Sequence, residues 1–197
     1  MPAKVDSRLR ARPNERFVFL DRDGVINMDS DDYIRSLSEW MPIPGSIDAI
    51  ATLTHAGFRI AIITNQSGLA RGFFDLGTLN AIHRKLRDLA SLRGGRVEMI
   101  LFCPHGPADN CGCRKPKSGL LRQVEARVGI DLRGLPFIGD SLGDVLAAKR
   151  VGMEPVLVRT GKGSRTLAQG GTALNGVAVF DDLKAASEKL IDRWCDS

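Results

Sequence analysis

The chain has 197 residues, 43% of them hydrophobic and 26% charged, with a formal net charge of +5 at pH 7. That balance is too apolar for a disordered polymer and suits one domain with a sizeable core, while no apolar run approaches the ~20 residues of a membrane helix. The positive charge fits a protein that meets anions, phosphorylated metabolites and nucleic acid alike, and does not choose between them.

Residues 1–15 carry several arginines but also Asp6 and Glu15, without an apolar face. This argues against a signal or transit peptide and for a mobile tail, with a single domain over 16–197 and a cytoplasmic location. Phe17 to Leu20, "FVFL", is a continuously apolar run, the pattern of a strand buried on both faces. It delivers the chain into "DRDG". Asp21 and Asp23, two apart on an extended chain, are expected to point the same way, and Gly24 permits a sharp exit. An exposed turn is the alternative reading.

Further strands are expected at 59–64, 97–102, 135–139, 155–160 and 177–180. Between them, Ile47, Ile50 and Leu53 space one helical stripe, Leu79, Ile82, Leu86 and Leu89 a second, and Leu120, Leu121, Val124 and Val128 a third. Asp181 or Asp182 would cap a last helix reaching about Trp194. Strands alternating with helices predict an α/β fold with a doubly wound, mostly parallel sheet. Such sheets bind ligands at the carboxyl ends of their strands. Those ends carry Asp21 and Asp23, then Thr64 and Asn65, then Cys103 and His105, then Asp140. Each alone would serve as a helix cap; four on one rim predict a site.

In order and spacing, "DRDGV", "TN" at 64–65, "RKP" around Lys115 and "GDSLGD" at 139–144 resemble the four motifs of haloacid dehalogenase-type phosphatases. The longer strings "TNQSGLARG" and "CGCRKPKSG" resemble the branch of that family that acts on D-glycero-D-manno-heptose 1,7-bisphosphate. The resemblance implies a Rossmann-like domain in which Asp21 attacks phosphorus to form an aspartyl phosphate, and Asp23 serves as acid and then base. To act first as an acid, Asp23 is expected to be raised above the usual carboxylate range by anionic neighbours. Asp21, the backbone carbonyl of Asp23 and Asp140 are implied ligands of a magnesium ion, with Asp144 supporting them. Thr64 and Lys115 are implied to hold the transferring phosphoryl group, and Arg114 another oxygen cluster of the substrate.

Cys103, His105, Cys111 and Cys113 form C-x-H-x5-C-x-C, the ligand number and type of a tetrahedral structural zinc site. A disulfide is the rival, disfavoured in a cytoplasmic chain. Zinc there would stiffen the loop so that Arg114 and Lys115 face the phosphate. Cys195 reads as an incidental thiol, and His55 and His83 as surface or packing residues.

The spacing leaves no room for a separate cap domain, so selectivity is expected from three loops, 27–40, 65–72 and 103–117. Asn27, Asp29 and Tyr33 in the first, and Asn65, Gln66 and Ser67 in the second, are candidates for substrate contacts. The function implied is a monomeric phosphatase that removes the 7-phosphate of a heptose 1,7-bisphosphate. A histidinol-phosphate phosphatase shares the aspartates and zinc loop, while a zinc-stabilised nucleic-acid-binding module or end phosphatase lacks a basic aromatic stripe.

Overall fold

The protein is described from a computed structural model covering residues 16–195; the expected tail at 1–15 and the side chain of Cys195 lie outside the described residues. Six strands, β1 (Phe17–Leu20), β2 (Arg59–Asn65), β3 (Val97–Cys103), β4 (Pro136–Gly139), β5 (Glu154–Val158) and β6 (Ala178–Phe180), pair in the order β3-β2-β1-β4-β5-β6. Every pairing is parallel, so the sheet is wholly rather than mostly parallel. The helices are α1 (Ser46–His55), α2 (Leu76–Leu92), α3 (Gly119–Val128), α4 (Leu142–Lys149), α5 (Gly163–Gln169) and α6 (Leu183–Cys195).

The four residues of β1 show how the layers form. Alternate side chains of a strand face opposite sides of the sheet. Val18 and Leu20 join Ile50, Leu53, Ile82, Leu86, Leu183 and Leu190 from α1, α2 and α6 on one side. Phe17 and Phe19 join Leu120, Leu121 and Val124 of α3 and Ala147 and Ala148 of α4 on the other. All four are fully buried, each contributing roughly 1.5–3 kcal/mol of hydrophobic stabilisation. This is why the run is continuously apolar.

The chain winds outward through β1, β2 and β3, then returns to place β4 on the far side of β1. The order therefore reverses between β1 and β4, and a crevice opens beyond their carboxyl ends, where Asp21 and Asp140 follow. Only residues 21–45 and 104–118 occupy the positions where a cap would be inserted, and neither contains a further sheet.

Of the two candidate caps for α6, Asp182 is the one used, its Oδ1 accepting from Ala185 N at 2.8 Å. Helices α4 and α5 had no apolar stripe to announce them. In α4 the buried positions are Asp144, Val145, Ala147 and Ala148, and its start is set by a capping box in which Ser141 and Asp144 bond each other's backbone amides.

Candidate active site

Beyond β1 the chain keeps one more sheet bond, Asp21 N to Ile138 O at 2.9 Å. It then turns, and the two aspartates take different partners. Asp21 faces Lys115, whose Nζ lies 2.8 Å from Asp21 Oδ1, 2.6 Å from Asp144 Oδ1 and 2.8 Å from Ile63 O. Asp23 faces Arg22, Asn27 and Gln66. Both carboxylates line the same cleft, as expected of two acids on one strand end, but they keep different partners there.

The two sides differ in charge. Burial pushes Asp21 well above the usual carboxylate range; Lys115 opposes this, while Asp144 and Asp140 add to it. Asp140 is likewise pushed up, to about 7, by burial and by Asp144. Burial also acts on Asp23 but is outweighed by the Arg22 guanidinium and by hydrogen bonds from Asn27, Arg22 and Gln66, which hold it below the ordinary value. The expected upward shift thus falls on Asp21 and Asp140, and not on Asp23. Lys115, although buried, is held protonated above the ordinary lysine value by Asp144 and Asp21.

Three buried carboxylates, Asp21, Asp140 and Asp144, bring oxygens within 4.8 Å of one another. Asp144 is already engaged, Oδ1 with Lys115 and Oδ2 with Ser141 N and Oγ. That leaves Asp21 and Asp140 as a hard-oxygen pair, raised chiefly by burial and further by neighbouring carboxylates, the setting in which a divalent cation such as magnesium fits. The Asp140 carboxylate is seated between two glycines: a Cβ on Gly24 (φ +80°) or Gly161 (φ +56°) would come within 2.1 or 2.3 Å of its Oδ2. Lys162 N donates to the same oxygen at 2.7 Å.

The Cys103 loop offers a different donor set. Cys103, Cys111 and Cys113 Sγ and His105 Nδ1 sit 3.1 to 3.6 Å apart along five edges. A disulfide needs ~2.05 Å, so these thiols are unbridged. Four soft donors around a common centre at that spacing fit a tetrahedral zinc ion, whose ~2.3 Å bonds to sulfur set donor edges slightly longer than these. Arg114 Nη1 donates back to His105 O at 3.3 Å, tying the following arginine to the loop.

A cleft of about 360 Å³, open to solvent, lies over this floor, lined by Asp21, Asp23, Asp29, Tyr33, Thr64, Asn65, Gln66, Ser67, Arg114, Lys115 and Asp140 among others. Residues 112–186 match the HAD-hydrolase-like family. The D-glycero-beta-D-manno-heptose-1,7-bisphosphate 7-phosphatase of Pseudomonas aeruginosa is 56% identical over 88% of this chain and 97% of its own length. That of Bordetella bronchiseptica is 51% identical over 89% and 98%. The chain belongs to this phosphatase family. Among solved structures, the B. bronchiseptica heptose bisphosphate phosphatase complexed with magnesium and phosphate superposes with a TM-score of 0.88 at 50% identity, covering 90% of this chain and 99% of that one. The Burkholderia thailandensis enzyme gives 0.71 at 40% identity.

Within this family member, several residues expected to touch substrate are turned to other work. Asn27 is fully buried and absent from the cleft lining; its amide donates to Asp23 Oδ1 at 2.9 Å and Met28 O at 2.8 Å. Asn65 lines the cleft but brackets the Lys115 backbone, accepting from its N and donating to its O, both at 3.1 Å. Gln66 Nε2 donates to Asp23 Oδ2 and to Thr64 Oγ1, each at 2.8 Å. Because Thr64 accepts there, its own hydroxyl proton is left to donate into the cleft. Asp29, Tyr33 and Ser67 remain cleft-facing.

Sequence reasoning missed Lys162, which lines the cleft, pairs with Asp29 at 2.9 Å and presents its amide to Asp140. The one available signal was "RTGKG" directly after a strand. It also left His83 as a packing residue. The ring is indeed buried, but it meets Arg22 Nη1 at 3.2 Å, and burial and that guanidinium push it down to about 3.

Proposed function

We propose that this protein is a cytoplasmic, monomeric phosphatase that removes the 7-phosphate of a D-glycero-D-manno-heptose 1,7-bisphosphate, folded as one domain over residues 16–197. The observation that carries the reading is the contrast in the partners of Asp21 and Asp23 within one cleft: one carboxylate beside a buried lysine, the other fixed by donors. Asp21 attacks phosphorus, forming the acyl phosphate as the bond to the sugar oxygen breaks. Asp23, ionised in the free site, first takes a proton from solvent as the anionic phosphate enters beside it and gives that proton to the departing oxygen. It then takes one from the water that hydrolyses the acyl phosphate and regenerates Asp21.

Thr64 donates its free hydroxyl proton to a phosphoryl oxygen, and Lys115 supplies fixed positive charge beside it. Magnesium, held by Asp21, Asp140 and the carbonyl of Asp23, would neutralise the charge that phosphate brings to these acids. Zinc on Cys103, His105, Cys111 and Cys113 would hold Arg114 at the cleft wall, where its planar fork suits a second oxygen cluster of the substrate. Asp29, Tyr33, Asn65, Gln66 and Ser67 shape the pocket for the sugar.

Phosphate release from heptose 1,7-bisphosphate, histidinol phosphate and a 5′-phosphorylated oligonucleotide tests this, with phosphorus NMR locating the phosphate that remains. Preferred hydrolysis at position 7 of the heptose is expected. Faster turnover of either other substrate, or loss of the 1-phosphate first, contradicts it.

A further inference from the structure

Arg22 separates the two aspartates, yet its side chain is 1% exposed and runs away from solvent into the layer of α2. Burying a guanidinium costs several kcal/mol unless its donors find acceptors, and here each of its three nitrogens has at least one. Nε and Nη2 grip Asp23, at 3.1 Å and 2.8 Å from Oδ1 and, through Nη2, 3.0 Å from Oδ2. Nη2 also reaches Gln66 Oε1 at 3.1 Å, and Nη1 meets His83 Nε2 at 3.2 Å. An arginine is always a donor, so His83 accepts through Nε2. His83 in turn lies on α2 beside Leu79, Ile82 and Leu86, all buried.

The result is an asymmetric carboxylate. Asp23 Oδ1 takes Arg22 Nε, Arg22 Nη2 and Asn27 Nδ2, whereas Oδ2 takes Arg22 Nη2 and Gln66 Nε2. Two planar forks, one guanidinium and one amide, therefore fix the plane of the carboxylate and leave Oδ2 the less occupied oxygen. A carboxylate kept only for charge balance needs one cation; this one is held in rotation as well. Proton transfer to a leaving oxygen requires that orientation, since the transfer works only over a hydrogen-bond distance.

We infer that Arg22, seated on His83, is a positioning residue that aims Asp23 at the leaving-group oxygen. This rests on the acid-base role proposed above for Asp23. The proton leaves Oδ2 for the ester oxygen as the phosphorus–oxygen bond breaks, and the same oxygen later receives a proton from water. The inference separates two kinds of substrate. A sugar hydroxyl leaves poorly and needs the acid; nitrophenolate leaves without it.

The test is first-turnover kinetics of the full-length, magnesium-loaded protein with heptose 1,7-bisphosphate and with p-nitrophenyl phosphate. Arg22→Lys keeps the charge and removes the fork. It is expected to slow the sugar ester by roughly 10- to 100-fold, within the range of general acid catalysis, with a much smaller loss in the nitrophenolate burst. His83→Gln, which keeps an acceptor at the same reach, should stay near normal, and His83→Leu should reproduce the selective loss if Arg22→Lys does not fold. Equal losses on both esters, or none on either, overturn the inference. If the unmodified protein ignores the heptose bisphosphate, the substrate reading fails by itself, and the same comparison with any alkyl phosphate it does hydrolyse still decides the role of Arg22. If it hydrolyses no alkyl phosphate, both ideas fall.

Discussion

The two sides of the cleft floor are separated by a single residue in sequence and by opposite physics in space. On the Asp21 side, burial and the company of Asp140 and Asp144 raise proton affinity, and one buried point charge, Lys115, restrains it. On the Asp23 side, planar donors from Arg22, Asn27 and Gln66 lower it. Neighbours near and far decide the difference: Arg22 lies between the acids and Asn27 four residues after Asp23, while Gln66 comes from just beyond β2, Lys115 from the zinc loop and Asp144 from α4. A nucleophile and an acid can share a strand end because the sheet brings a different set of neighbours to each.

That contrast is broken most severely by Asp21→Asn. An amide cannot attack phosphorus, so turnover should fall on the order of 10³-fold or more, the scale seen on removing a covalent nucleophile. Without metal, however, the variant should melt no lower than the parent, because a charge disfavoured by burial has been removed. Asp23→Asn should do the reverse on stability. Its rate loss, about 10² to 10⁴-fold, should come with a melting temperature lower by several degrees, since Arg22 loses its ionic partner in a buried place; about 1 kcal/mol corresponds to ~2–4 °C at this size. Calorimetry of both variants in chelator, beside steady-state rates in magnesium, checks the pair. Parallel shifts in melting temperature would show that the two settings are alike.

Much of this was legible in the sequence, for reasons particular residues make plain. The run Phe17 to Leu20 announced a strand covered on both faces because nothing polar interrupts it, and the strand-end rule pointed to Asp21, Thr64 and Asp140, which line the cleft. The four zinc-loop ligands were readable because they are local: a metal site within eleven residues needs no knowledge of topology. What spacing did not show was direction. Asn27 looked like a sugar contact, as polar loop residues do, but it is buried against Asp23, and Gln66, which does line the cleft, also holds Asp23. Arg22 and His83 are 61 residues apart, and their contact exists only once α2 has packed on the sheet. Helix α4 was silent because its core face is built from alanines and one valine.

The zinc loop gives a smaller effect. Cys111→Ser should release zinc, measured by elemental analysis at one ion per chain in the parent and a fraction of that in the variant. Asn65 still brackets the Lys115 backbone, so Lys115 keeps its place while Arg114 is freed. The expected outcome is a KM raised by about 10-fold with kcat reduced much less, within the range seen when groups supporting a site are lost. A kcat collapse with unchanged KM would place the loop in the chemistry itself.

The smallest effect is a shift with pH. In metal-free protein Asp140 holds its proton up to about 7, whereas in the unfolded chain it loses it near ~3.9. Between those values the folded state binds more protons, so its stability is greatest at the acid end and declines as pH rises toward 7, then levels. Magnesium replaces the proton. The increase in melting temperature on adding magnesium should therefore be small near pH 5 and grow to a plateau above about pH 7. A magnesium increment that does not change over that range would show that Asp140 is ionised throughout.

The central claim is that Asp21 alone takes the phosphoryl group while Asp23 handles protons, and acid quenching of a single turnover with phosphorus-labelled heptose 1,7-bisphosphate tests it most directly. The account predicts a transient acyl phosphate, cleaved by hydroxylamine, on the peptide containing Asp21, and its accumulation in Asp23→Asn, where hydrolysis of the intermediate lacks a base. Product formation with no labelled protein at any time, or label carried by Asp23, would contradict it.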